Sequence, residues 1–295
     1  MNIIEPDQLY KYNDIINKSI CLAEVYKNIL KLETIGISHD NRNIIMLKLG
    51  RCKKNILITA GVHGREYVNS AVLLRIIENY CSLMTLGKLD FKDCGIIFVP
   101  VLNPDGYVIA TEGFKGIKDK KLRCYCKSMN EKSFMWKWNA RAVDINRNFI
   151  SSMYEKKAHT GDVNSENETK AFITLVQYED TIGYLDIHSR GNVIYYYRNA
   201  MGKDYNTTQK NIARRLAEIT GYNIMPPSLE IDSNDTGGNT VHYYSEYINK
   251  PALTLETIDD NTAFPLSYTY AGHVYYQIRY VPLEFLQLCR YNASC

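Results

Sequence analysis

The chain has 295 residues, 45% of them hydrophobic, enough for one large α/β domain or two small ones. Its 35 Lys and Arg stand against 32 Asp and Glu, a formal charge of +3; that is too little to imply nucleic acid or an anionic membrane as partner. No apolar run is long enough to span a bilayer. The start, Met1-Asn2-Ile3-Ile4-Glu5-Pro6-Asp7, lacks the basic and apolar regions of a secretory signal, so a cytoplasmic location is expected. The eight cysteines are scattered, and Cys124-Tyr125-Cys126 lacks the spacing of a zinc knuckle; free thiols are expected.

In chain order, Leu9–Leu32 carries apolar residues around one helical face. Thr34–Ser38 and Asn43–Leu49 read as strands joined by a turn, with His39 a solvated turn residue. Asn55–Ala60 is an apolar, β-branched run with the character of a buried parallel strand, and Val68–Tyr80 is helical. Gly95–Val101 is a second buried strand that ends in Asn103-Pro104-Asp105-Gly106-Tyr107, read as a turn. The stretch 113–135, rich in Lys and Gly, reads as a surface excursion. Trp136–Phe149 mixes aromatics with hydrogen-bonding side chains and has neither helical nor strand period.

Ser165–Tyr178 predicts a helix with Ser165 and Glu168 as a capping box. Thr181–Ile187 and Val193–Tyr197 predict strands, Asn206–Thr220 a helix closed by Gly221, and Ser233–Asn239 a loop. Thr240–Tyr247 has helical character, Pro251–Leu255 is a last buried strand, and Gly272–Leu288 is a helix bent or started at Pro282. Strands alternating with helices, without repeat or linker, predict one α/β domain over 1–295. Its sheet is expected to be mixed, largely parallel and twisted, flanked by helices, with 1–33 as an N-terminal helical segment.

Three strands end in residues with metal chemistry. His63 and Glu66 follow the first, His188 another, and Glu256 the last. Ligands bind at the carboxyl ends of strands in open α/β sheets. Two imidazoles and one carboxylate are the ligand set of a hydrolytic zinc, the fourth position being left to water. A further carboxylate is needed to take a proton from that water. Asp186, two residues before His188, is placed to orient it.

His63-Gly64-Arg65-Glu66, Asn103-Pro104-Asp105-Gly106, Asp144-Ile145-Asn146-Arg147-Asn148-Phe149, Ile187-His188-Ser189, Gly237-Gly238 and Thr254-Leu255-Glu256 together resemble the ordered motifs of the zinc metallocarboxypeptidase family, of which carboxypeptidase A is the best-known member. The resemblance covers about Thr34 to Glu256. The Trp136–Phe149 stretch looks most similar to the bacterial branch that cleaves γ-D-glutamyl-diaminopimelate links. The resemblance implies one zinc held by His63, Glu66 and His188, with Glu256 as general base. It implies that Asn146 and Arg147 grip the substrate's free carboxylate and that Arg65 assists at the rim. Lys137 stands where the classical members place the arginine that polarises the scissile carbonyl, and Arg141 is the alternative for that task. Ser233-Asn234-Asp235-Thr236 stands where a covering tyrosine would lie, so Tyr243 or Tyr244 would have to cover the site from elsewhere. Thr240 falls at the pocket position that selects side chains. The implied partner is a peptide or muropeptide. The rival readings are an aspartoacylase-like amidohydrolase acting on N-acyl amino acids and a non-catalytic peptide-binding protein on the same fold.

Overall fold

The computed structural model describes residues 3–5, 8–230 and 238–293. In chain order the elements are α1 (Tyr12–Val25), β1 (Leu30–Ile37), β2 (Asn43–Leu49), β3 (Lys54–Ala60), α2 (Val68–Thr85), β4 (Cys94–Val99), α3 (Pro104–Glu112), α4 (Lys120–Ser128), α5 (Asn167–Tyr178), β5 (Asp180–Ser189), β6 (Val193–Tyr195), α6 (Lys203–Thr220), β7 (Asn223–Ile224), α7 (Pro227–Glu230), α8 (Thr240–Tyr243), β8 (Ala252–Thr257), α9 (Tyr270–Ile278) and α10 (Val281–Ala293).

The strands form one eight-stranded sheet in the order β1-β2-β4-β3-β5-β8-β6-β7. The middle four, β4, β3, β5 and β8, are parallel, and antiparallel pairs join them to the edges. Strands covered on both faces need apolar side chains on both. Ile56, Ile58, Ile96, Phe98, Leu185, Ile187, Leu253 and Leu255 point into a core shared with α2, α9 and α10. Leu57, Ile97, Val99 and Tyr184 point into a second core with α5 and the Tyr243-Tyr244 region. Side chains two apart on a strand share a face, so Tyr184, Asp186 and His188 form one row on that second face. His188 is the register partner of Glu256 on β8, which puts Glu256 at the same end of the sheet.

Two glycines set how closely the loops above the sheet approach. A Cβ on Gly64 would lie 2.2 Å from the carbonyl carbon of Gly106, and one on Gly106 would lie 2.3 Å from the Trp138 carbonyl oxygen. The turn after β3, the start of α3 and the Trp138 segment therefore touch backbone to backbone.

The fold departs from the sequence reading at several points. The first helix stops at Val25, and Leu30 and Leu32 belong to β1, because the apolar pattern serves a strand as well as a helix there. Asn103-Pro104-Asp105-Gly106 opens helix α3. The Asn103 side chain accepts from Gly106 N at 2.8 Å and Pro104 sits in the first turn, so the residues read as a turn are an N-cap and a helix start. Stretch 113–135 holds α4 and lays Ile117 and Cys126 against Trp136 in a small core of its own. The N-cap of α5 is Glu166, and Ser165 Oγ donates to Glu166 Oε1 at 2.8 Å rather than capping. His39 is not a free turn residue: it is largely covered, and its Nε2 lies 3.0 Å from Glu166 Oε2. The C-terminal helical stretch is two helices rather than one, and the second begins at Val281, beside the Pro282 expected to bend or start it. The Ser233–Thr236 region and Gly237 lie outside the described residues. No two of the seven described cysteines are paired, and among the described residues no helix is long and apolar enough to cross a membrane.

Candidate metal centre

The loop after β3 begins at Gly61, whose φ of +64° is a conformation that suits glycine. It carries the chain into a short 3-10 turn, Gly64–Glu66, that aims Glu66 back over the sheet. His63 Nδ1 lies 2.8 Å from Glu66 Oε1, and His188 Nδ1 lies 3.0 Å from Glu66 Oε2. The two imidazole centroids are 4.9 Å apart. Three residues from two strand ends thus offer ligand atoms all within 4.8 Å of one another.

The outer nitrogens are engaged as well. His63 Nε2 faces Asp144 Oδ1 at 3.2 Å, and His188 Nε2 faces Asp186 Oδ2 at 2.9 Å. Asp186 is fixed in turn by Thr59 Oγ1 and Thr240 Oγ1, each donating at 2.6 Å. Ionised carboxylates only accept, so each Nε2 carries a proton and each Nδ1 turns toward a further carboxylate. Two Nδ1 lone pairs against one carboxylate repel, unless positive charge lies between them. Either two protons or one dication supplies it, with the same total charge.

The electrostatics agree. Burial pushes the Glu66 carboxyl upward, but the charges of His63 and His188 win and hold it below the usual carboxylate range. Burial opposes charge on His188, yet Asp186 and Glu66 hold its pKa well above the ordinary value. Burial likewise works against ionised Asp144, and His63, Lys137 and Arg147 together keep it well below. An anion-rich pocket of this kind, with both rings fixed by outer carboxylates, fits zinc.

Glu256 is not engaged with the ligand atoms. Its Oε2 is shut off from solvent and has no hydrogen-bond partner. Burial pushes its carboxyl up to about 8, with Glu66 and Asp186 adding to the rise and His188 and Arg65 opposing it. An orphaned, basic carboxylate beside a ligand set is suited to accept a proton from water.

The other predicted residues divide. Lys137 Nζ lies 2.6 Å from Asp144 Oδ2, so it shares with His63 the carboxylate at the edge of the centre. Arg141 is turned elsewhere: its NH1 lies 3.3 Å from Glu166 Oε1, outside the group around Glu66. Asn146 Oδ1 accepts from Thr240 N at 3.3 Å, and Arg147 NH1 donates to Asn146 O at 2.7 Å. Phe149 N donates to Gly238 O at 2.8 Å, which seats the Gly238 end of the loop against this turn. The Arg65 guanidinium lies over the Phe264 ring, 4.5 Å from its centroid. Tyr244 does not reach the site: its hydroxyl donates to Thr181 Oγ1 at 2.9 Å, seven residues and about 23 Å of strand before His188. Tyr243 is buried between Phe149 and Phe172.

Asp144 is the residue that the sequence reading left without a role. Its place two residues before Asn146 was the available signal. Asn69 was also missed. Its amide donates to Ser189 Oγ at 3.0 Å and its carbonyl oxygen accepts from Thr257 Oγ1 at 2.8 Å, which ties the ends of β5 and β8 together below the ligands.

Fold and ligand set define an α/β protein with a zinc-type centre at the carboxyl ends of its parallel strands. Residues 16–271 match the family model described as zinc carboxypeptidase, and the chain belongs to that family, which uses zinc. Mouse carboxypeptidase A2 is 26% identical over 197 residues, 62% of this chain and 46% of that protein. A protein of Talaromyces marneffei named inactive metallocarboxypeptidase ecm14 is 22% identical over 59% of this chain and 32% of its own length. The chain thus spans less than half the length of these two relatives. Among solved structures, a chain of bovine thrombin-activatable fibrinolysis inhibitor in complex with tick carboxypeptidase inhibitor superposes with a TM-score of 0.78 at 20% identity, covering 97% of this chain and 99% of that one. Murein-tripeptide amidase MpaA from Escherichia coli O157 gives 0.55 at 16% identity, covering 88% and 91%.

Proposed function

We propose that the protein is a zinc-dependent carboxypeptidase that hydrolyses a peptide bond next to a free C-terminal carboxylate. The observation that carries this reading is the pairing of both Nδ1 atoms with the two oxygens of Glu66, beside a Glu256 oxygen that has no partner. His63, Glu66 and His188 would hold the zinc. When bound, zinc supplies a Lewis acid that polarises a carbonyl and makes water more acidic.

The remaining work falls to the chain's own side chains. Glu256 accepts the proton of the attacking water and returns it to the leaving amine. Lys137, adjacent through Asp144, places an ammonium where negative charge grows on the carbonyl oxygen; it acts as a point charge, without the fork of a guanidinium. Arg147 and Asn146 bind the terminal carboxylate, which can accept paired hydrogen bonds from a guanidinium. Arg65 lines the approach. Asp144 and Asp186 hold the imidazoles in the tautomer that presents Nδ1.

A muropeptide with a free carboxylate is the narrower reading. It is supported by the motif similarity at Trp136–Phe149 and by the fold shared with MpaA. The intact ligand set and the free Glu256 favour a working enzyme over a binding protein. A panel of peptides, their C-terminal amides, N-acyl amino acids and muropeptides, with and without chelator, tests the reading. Zinc-dependent release of C-terminal residues from free peptides supports it. Cleavage of acyl-amino acids alone would replace it with a deacylase.

A further inference from the structure

A second group of ligand atoms lies among the described residues. His39, Glu166 and Glu168 offer one imidazole nitrogen and two carboxylate oxygens all within 4.8 Å of one another. His39 Nε2 lies 3.0 Å from Glu166 Oε2 and 3.9 Å from Glu168 Oε2. Both carboxylates are fully buried, while the imidazole keeps a 16% exposed edge.

One carboxylate of this group has an oxygen without a partner. Glu168 Oε1 is shut away from solvent and finds no hydrogen-bond donor. The imidazole cannot mend this, because its single Nε2 proton serves Glu166 and stands too far from Glu168 for a hydrogen bond. A buried carboxylate oxygen left unpaired is unfavourable. Burial and the charge of Asp105 push the Glu168 carboxyl up to about 7, the behaviour of a carboxylate short of positive charge.

The surroundings hold the three groups in place. Asn139 Nδ2 donates to Glu166 Oε2 at 2.7 Å and to Glu168 Oε2 at 3.2 Å. Its own Oδ1 accepts from Arg141 N and Val143 N at 2.9 and 3.1 Å, which decides the orientation of the amide. Ser165 Oγ and Arg141 NH1 reach Glu166 Oε1 at 2.8 and 3.3 Å. Carboxylates so oriented by outer donors, with an imidazole opposite, have the form of a metal site with its supporting shell.

We propose that His39, Glu166 and Glu168 bind a second divalent transition-metal ion of the zinc class, which ties three segments of the chain together while water at the exposed edge fills its remaining position. One nitrogen and two oxygens suit such an ion, whereas calcium or magnesium would seek six or more oxygens. The site joins three segments: the β1–β2 connection at His39, the start of α5 at Glu166 and Glu168, and, through Asn139, the irregular stretch that carries Lys137, Asp144 and Arg147. It stands independently of the peptidase reading, since none of its residues takes part there.

The test is zinc stoichiometry. The full chain is stripped with chelator, reloaded with zinc, freed of excess by gel filtration and measured by mass spectrometry of the metal. Two sites predict about two equivalents in the wild type and about one in Glu168→Gln, with peptide hydrolysis within about twofold of wild type. The decisive quantity is the difference between the two proteins, so it holds even if the first centre were to bind no zinc. Equal zinc in folded Glu168→Gln and wild type overturns the site. Should Glu168→Gln not fold, His39→Asn at the exposed edge serves in its place. Loading with cobalt then reads the imidazole directly: loss of one set of visible absorption bands in His39→Asn supports the site, and an unchanged spectrum overturns it.

Discussion

The two histidine–carboxylate clusters differ in where the unpaired atom lies. Around Glu66, both carboxylate oxygens face imidazoles, and the orphan is Oε2 of Glu256, which is not among the ligand atoms. Around Glu166, the orphan belongs to Glu168, itself one of the three. The outer shells differ too. Carboxylates hold the outer nitrogens of His63 and His188, whereas an amide, a hydroxyl and the Arg141 guanidinium steady the second cluster. The first arrangement keeps a proton acceptor in reserve beside the ligands and suits chemistry. The second has none and suits a structural tie.

Several substitutions would break or sharpen that contrast. Glu256→Gln should keep zinc and lose turnover by about 10³-fold or more, the upper part of the range for a general base; wild-type-like rates would remove Glu256 from the mechanism. The pH profile adds to this. Glu256 must be deprotonated to act, and burial raises its carboxyl. Activity should therefore rise with pH through an acid limb in kcat/KM lying above the usual carboxylate value of about 4.3, and that limb should be absent from Glu256→Gln. Arg147→Ala should weaken kcat/KM on free peptides by about 10²-fold, near 2.7 kcal/mol, and leave C-terminal amides nearly untouched. Equal losses on both would argue against the carboxylate clamp. Asp144→Asn should lower zinc affinity by roughly 10- to 100-fold, as loss of an outer-shell carboxylate does, measured by competition with a chelator. Arg141→Ala should change turnover least, within about twofold, because its guanidinium serves Glu166; a large loss in kcat would return Arg141 to the carbonyl.

The parallel strands were plain in the chain because burial on both faces demands unbroken apolar runs, as in Ile56–Ile58 and Ile96–Val99. The candidate ligands stood out for the same reason: polar residues at the ends of such runs have no role in the core. Less could be read where one pattern serves two structures. Leu30 and Leu32 continue a helical stripe yet alternate in β1, and Asn103-Pro104 is equally a turn and a helix start. His39 was misplaced because its partners, Glu166 and Glu168, lie more than a hundred residues on and nothing local announces them. The role of Asp144 is hidden for a similar cause: its bond to His63 spans 81 residues.

The proposed chemistry depends on His63, Glu66 and His188 converging on one ion. Diffraction data collected on either side of the zinc absorption edge, from crystals of the zinc-loaded chain, test it directly. An anomalous peak is expected about 2.0–2.1 Å from Nδ1 of both histidines and at bonding distance from Glu66. A zinc peak that avoids His188, or one bound through Nε2 with Asp144 and Asp186 displaced, would contradict it.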